Sequence, residues 1–304
     1  MSSNHGWSPL TSGGLFWLII PLLLSILCYI VAWRTQRKRG PEEASDHINN
    51  LGSMTLEEAY LIKARIAELE FPLIFSAATN AVFFKAEAIP SIAKLVSRAA
   101  QRSTPRNGPG ATPLDLLGRP GAPATKAAID RVNYIHGFYR PSSKMSDDDL
   151  LYVLSLFALE PIRCIDRFEW RRLTALERRA LATLWKALGE ALRIPFDRLP
   201  SDEEGFDDDA LKWLSELEVW GREYEERHRE KTPESVFLGE KQLDAWVRGV
   251  PRFLRRWARG CVAVLIEPGL RQAMGIETPS TLAIVLVQTV VSVRKFIRRR
   301  LYTL

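Results

Sequence analysis

The chain has four histidines, and one is placed where its ring could do chemistry. His136 sits in the run Arg131-Val-Asn-Tyr-Ile-His136-Gly-Phe-Tyr139, an apolar and aromatic setting. His5 and His47 lie in polar segments, and His228 falls in the charged stretch Glu223–Lys231, where solvation is expected. Two uses of His136 are open at this level: a core imidazole bonded to backbone, or a ligand to a metal or haem iron. A lone histidine suits one axial position of a haem, because the porphyrin supplies four other donors. It does not suit zinc or non-haem iron, which need three or four protein ligands. The sequence contains no His-Glu-x-x-His, no Cys-x-x-Cys, no phosphate-binding Gly-rich loop and no Gly-x-Ser-x-Gly. Kinases and nicotinamide-dependent dehydrogenases are thereby disfavoured.

The elements that must position such a residue read as helices. Thr55 can cap a helix running to about Glu70, with Glu57 and Glu58 at the positive end of its dipole. Phe71–Phe84 reads as a buried helix, and Ile89-Pro90 as a break before a helix over Ile92–Ala100 capped by Ser91. Residues 101–125 carry five prolines and four glycines, which marks a loop insertion. Lys126–Phe138 is expected to be helical, with Ile129, Val132 and Ile135 apolar. Ser146 and Asp149 form a capping pair for Asp147–Leu159, which Pro161 should kink or end. Amphipathic helices are expected over Leu173–Ile194, Asp209–Arg229, Leu238–Ile266 (one or two) and Thr281–Arg300. No alternating strand pattern interrupts them, so the fold class is all-α.

Ahead of this domain, Leu15–Trp33 is a charge-free run of 19 residues flanked by Trp17 and Trp33. That length and composition predict one transmembrane helix. Residues 1–14 hold no Lys or Arg, whereas Arg34, Arg37, Lys38 and Arg39 follow the run. The positive-inside rule then places residues 1–14 in the lumen and the rest in the cytosol, and a single-pass anchor of this kind points to the endoplasmic reticulum. Residues 34–54 form a basic, polar linker, and residues 55–304 the helical domain. Cys28, Cys164 and Cys261 are odd in number and lack metal-ligand spacing, so no disulfide framework is expected. The net charge of +6 is spread among acidic residues, and the clusters Arg34–Arg39 and Arg294–Arg300 adjoin apolar stretches. They read as membrane-surface contacts rather than a nucleic-acid site. Thr281–Val293 is too short to span, and is expected to be either a core helix or one lying at the interface. Trp170, Trp185, Trp213, Trp220, Trp246 and Trp257 read as core aromatics. Arg163, Asp166 and Glu169 read as a buried ion network or a pocket mouth.

Four segments occur in order: Glu70-Phe-Pro-Leu-Ile-Phe, Arg131-Val-Asn-Tyr-Ile-His136, Asp148-Asp-Leu-Leu-Tyr-Val-Leu-Ser-Leu-Phe-Ala-Leu-Glu-Pro161-Ile-Arg163 and Phe168-Glu-Trp-Arg171. Together they resemble the fungal mpaB-type oxygenases bound to the endoplasmic reticulum, distant relatives of the bacterial rubber oxygenases. The resemblance runs from about Thr55 to Arg299 and takes in the N-terminal anchor. It implies a globin-reminiscent helical fold and a haem b held by His136, with Arg131 placed to pair with a propionate. It also implies oxidative cleavage of a carbon–carbon double bond by dioxygen, on a lipophilic isoprenoid or polyketide-derived intermediate. On the distal side the family carries an Arg followed four residues later by a Thr. Here Arg102 is followed by Arg106 at that spacing, leaving Thr104 or Thr112 as substitutes. Glu87 is the nearest upstream carboxylate and the candidate base. The broken distal pattern keeps two alternatives open: an oxygen-independent acid–base enzyme of the same family, and a non-catalytic membrane-tethered scaffold.

Overall fold

The structure, a computed structural model, describes residues 54–102, 118–140, 145–201 and 209–302. The chain divides into Met1–Leu51 and Gly52–Leu304, and every described residue belongs to the second unit. The anchor expected over Leu15–Trp33 lies outside the described residues.

The described residues are helical, with no strand among them. In chain order the helices are α1 (Leu56–Ala64), a π-helical turn (Arg65–Glu70), α2 (Pro72–Ala86), α3 (Pro90–Arg102), α4 (Pro123–Tyr139) and α5 (Asp147–Phe168). They continue as α6 (Ala175–Ala191), α7 (Ala210–His228), α8 (Pro233–Trp246), α9 (Arg252–Leu265), α10 (Pro268–Ala273) and α11 (Thr281–Tyr302). Three starts carry reciprocal capping boxes with a carboxylate at the third position: Thr55 with Glu58, Ser146 with Asp149, and Thr174 with Glu177. Each satisfies two backbone donors that a helix start leaves without partners.

Helix α5 is the hub. Leu151, Leu154, Ala158, Leu159, Ile162 and Ile165 are buried along it. It packs against α2, α6 and α7. Phe71 and Phe75, Leu181 and Trp185, and Trp213 and Leu217 close round it to make the main core. Burying each such side chain contributes about 1.5–3 kcal/mol. Gly189 lets α6 approach closely: a β-carbon there would stand 2.6 Å from a Leu154 methyl and 2.8 Å from the Phe196 ring. A second cluster joins Val82, Ile89, Tyr152 and Tyr224, and a third joins Phe84 of α2 to Leu270 and Met274 around α10.

Several sequence expectations need correction. Pro161 does not end its helix, since α5 runs on to Phe168. The backbone hydrogen bond that Pro161 cannot donate is lost, but burial of Leu159, Ile162 and Ile165 on both sides of it holds the helix together. α3 starts at Pro90 rather than Ile92, because a proline at the first helical position needs no hydrogen bond. α4 likewise starts at Pro123, so the Pro/Gly-rich insertion is shorter at both ends than 101–125. Trp185 and Trp213 are core, and Trp170 and Trp220 pack against it, but Trp246 and Trp257 are exposed. His228 is exposed as expected, with its ring stacked on Tyr224.

Candidate functional site

His136 rides on the last turn of α4, which no side chain caps at its start. The inner face of α4 places Ile129 and Val132 against the main core. Two polar ties hold its other end. Asn133 Nδ2 donates to the Ala191 carbonyl at the end of α6 (3.0 Å), and Arg140 donates to the Arg193 carbonyl (2.8 Å). Arg140 also pairs with Asp147 at the start of α5 (3.0 Å). The outer face of α4 is apolar and open, with Tyr134 and Phe138 both about seven-tenths exposed.

Between these faces the His136 ring is half-buried, and its Nδ1 is buried without a hydrogen-bond partner. Burial, helped by the nearby Arg140 cation, pulls the imidazole down to about 4. The ring is therefore neutral near pH 7 and carries a lone pair on one nitrogen. A core histidine is expected to spend its buried nitrogen on a backbone group, and this one does not. A neutral imidazole with an unused nitrogen has the donor chemistry that would hold a haem iron, and His136 is the residue that would supply it. Among the described residues no group of three or more His, Cys, Asp or Glu side chains is arranged to hold a bare metal ion.

Arg131 is exposed, with its guanidinium over the Tyr134 ring at 5.6 Å. Five residues of helix set it about 140° round the axis from His136. Glu87 closes the C-terminus of α2, where it is buried and accepts a hydrogen bond from Gln242 Nε2 at 2.5 Å. Burial pushes its carboxyl up to about 7, against the opposing pull of the Gln242 bond. Such a group exchanges protons near neutral pH. Arg102 ends α3, about 18 Å along the helix axis from Pro90; its side chain and Thr104 lie outside the described residues. No hydrogen bond or ion pair among the described residues links Glu87, Arg131 and His136.

Sequence reasoning missed the most densely charged part of the interior. Lys85 Nζ is buried 2.9 Å from Glu160, 3.5 Å from Glu267 and 4.0 Å from Glu225. Burial pulls its ammonium down, but the three carboxylates hold it above its ordinary value. Arg163 bridges Glu160 and Glu218, and Arg229 holds Glu225. The Tyr152 hydroxyl is buried without a partner, and the Cys164 thiol is pushed up to about 12 by burial and Glu160. That thiol is not a nucleophile. The available signal was a lysine directly after an apolar helical run, at the end of Phe71–Phe84.

Two of the four family-like segments meet in an ion pair. Arg171 bridges Glu70 (2.5 Å) and Glu177 (2.7 Å), so the first and last segments are clamped together. Glu169, fully buried at its carboxylate, takes Arg294 (2.6 Å) and Arg298 (2.7 Å) of α11. Arg298 also donates to the Glu70 carbonyl. Asp166 holds Arg178. Arg163, Asp166 and Glu169 thus pair with separate partners, only Glu169 is buried, and Asp166 and Glu169 stand on the wall of an open groove of about 390 Å³. Asp149, besides capping α5, accepts from Ser91 and Tyr224.

Residues 111–298, which include His136 and the Glu169 clamp, match the family described as ER-bound oxygenase mpaB/B'/rubber oxygenase, catalytic domain. The chain belongs to this family. Three curated members support the placement. ER-bound oxygenase mpaB' of Penicillium brevicompactum is 32% identical over 307 residues, 98% of this chain and 71% of that protein. ER-bound oxygenase mpaB of the same organism is 34% identical, over 77% of this chain and 59% of its own length. ER-bound oxygenase mpaB of Penicillium roqueforti (strain FM164) is 33% identical, over 84% and 86% respectively. No solved structure matches the chain. The mpaB/rubber-oxygenase match covers α4 to most of α11, whereas Glu87 and Glu70 precede it.

Proposed function

We propose that this chain is a haem-dependent oxygenase of secondary metabolism. In this reading it is held on the cytosolic face of the endoplasmic reticulum by Leu15–Trp33. Its substrate is a lipophilic isoprenoid or polyketide-derived intermediate, oxidised or cleaved at a carbon–carbon double bond. The observation that carries the reading is the His136 Nδ1, buried, uncharged and without a partner. Membership of an oxygenase family and relatives named as bound to the endoplasmic reticulum support it. A bound haem b would supply the iron at which dioxygen is activated. The chain's own residues do the rest. His136 would hold the iron through an imidazole nitrogen, and the α4 backbone that carries it is tied down through Asn133 and Arg140. Arg131, exposed on the same helix, would be the cation that pairs with a propionate. Glu87, with its carboxyl close to half-ionised at neutral pH, takes a proton from the substrate, with Arg102 and Thr104 as the distal polar partners. An anchored enzyme meets a lipophilic substrate in the bilayer, where that substrate concentrates.

The test is an absorption spectrum and haem extraction of the purified full chain, wild type and His136→Ala. The reading expects a Soret band that is lost or displaced in the variant. A folded, colourless wild type that takes up no added haem overturns it. The buried Glu87–Gln242 pair favours one second reading, an oxygen-independent acid–base enzyme. Turnover that survives removal of oxygen and falls in Glu87→Gln would select it.

A further inference from the structure

Two adjoining helices carry an apolar surface that the fold does not use. On α11, Leu282, Val285, Leu286, Val290, Val293, Phe296 and Ile297 are all at least 39% exposed. At 100° per residue they form one stripe about 140° wide and about 22 Å long. Ala283, at the border of this stripe, and Arg298, on the far side of the helix, are both buried. α11 packs on α9, where Phe253 is 84% exposed and Trp257 45%. Scattered exposed apolar residues are ordinary, but a continuous stripe of this length marks a surface that meets something.

Charge indicates what it meets. Neither α9 nor α11 contains an acidic residue, and α9 carries Arg252, Arg255, Arg256 and Arg259; of the cations on α11, Arg294 and Arg298 are spent on Glu169, and on α9 Arg259 is held by Asp244. Arg252 and Arg256 are exposed beside Phe253, along one flank of it. An apolar face with an aromatic centre and an arginine border is the pattern of a helix lying in a bilayer interface, where guanidinium groups reach lipid phosphates.

We infer that the α9–α11 face docks on an anionic bilayer surface, laying the domain against the membrane in one orientation. This stands whether or not the site holds haem. It gives the protein a second membrane contact, one that sets which side of the domain faces the lipid that carries its substrate.

The experiment uses the full chain in single-copy nanodiscs of phosphatidylcholine, with or without phosphatidylserine, containing photoreactive acyl chains. Cross-linked peptides are mapped by mass spectrometry. Lipid is expected on peptides covering Leu282–Ile297 and Phe253–Trp257 as well as on Leu15–Trp33, with a several-fold gain on the α9 peptide when phosphatidylserine is present. Arg252→Glu combined with Arg256→Glu should remove that gain. Val290→Glu, at an exposed position that leaves the fold intact by circular dichroism, should lower lipid capture by α11. Cross-links confined to Leu15–Trp33 overturn the inference. So does protection of the α11 stripe by another segment of the chain, or only when two copies share a disc.

Discussion

The scaffold around α5 and the helix that carries His136 are built on different terms. The scaffold is held by buried carboxylates with two cationic partners each: Glu169 with Arg294 and Arg298, Glu160 with Lys85 and Arg163. α4 is held by a few apolar contacts, single hydrogen bonds to carbonyls and one part-exposed ion pair, Arg140 with Asp147, with its outer face open. Most of the family-like sequence falls in the scaffold, while the one residue with a ligand's chemistry sits on the lightly held element. Regions that bind or gate are drawn from the less stable parts of a fold. Here the separation lets the site's helix vary without loosening the clamp.

Breaking the clamp should give the largest effect. Glu169→Ala leaves two arginines without their buried partner, one of them itself buried, and should cost about 3–5 kcal/mol. The loss would read as a large drop in melting temperature of the membrane-reconstituted chain. An effect under about 1 kcal/mol would place Glu169 with ordinary surface pairs.

The pH response separates the regions next. Glu87 ionises at about 7 when folded and near 4.5 when unfolded, so the folded state holds the extra proton between those values. Stability from Glu87 is full below 4.5 and is lost as pH rises towards 7, by about 3 kcal/mol at most. His136 has the reverse sign. Its folded value of about 4 lies below the ordinary 6.5, so its contribution is full above 6.5 and is lost as pH falls towards 4. The two slopes oppose each other between 4.5 and 6.5. Glu87→Gln should unmask a stability that climbs with pH, and His136→Ala one that falls. Urea titrations at several pH values check both, and matching slopes in the two variants would refute the assignment.

Glycine substitutions give a finer comparison. A β-carbon at Gly239 of α8 would meet the Met274 carbonyl oxygen at 2.8 Å, and backbone does not yield cheaply. Gly239→Ala should destabilise by about 1–3 kcal/mol. At Gly137, next to His136, a β-carbon meets nothing within 4 Å. Gly137→Ala should stabilise by about 0.5–1 kcal/mol through helix propensity alone. Equal effects at the two sites, measured by thermal unfolding, would remove the contrast between packed scaffold and open helix.

Helix starts were legible where their chemistry is local. Thr55 and the Ser146–Asp149 pair announce themselves because a cap uses residues three apart. Pro161 misled because its local penalty is visible in sequence, whereas the packing of Leu159 and Ile162 that outweighs it is tertiary. His136 could be singled out by its neighbours, but not the lack of a partner on Nδ1. The Lys85 cluster was invisible because its carboxylates come from positions 160, 225 and 267, brought together only by the fold. Glu169 was noticed as a charge in a family-like motif, but its partners lie 125 and 129 residues away.

The bond from Arg298 to the Glu70 carbonyl closes a loop of 228 residues. A ribosome adding about 5–20 residues per second takes roughly 11–46 seconds to bridge that interval. The Glu70 carbonyl waits through all of that time, and the Glu169 carboxylate through the last 125 to 129 residues of it, each without its α11 arginine. A chaperone would therefore meet this protein as a nearly complete helical bundle whose charged latch, joining its early helices to α11, is the last part to shut.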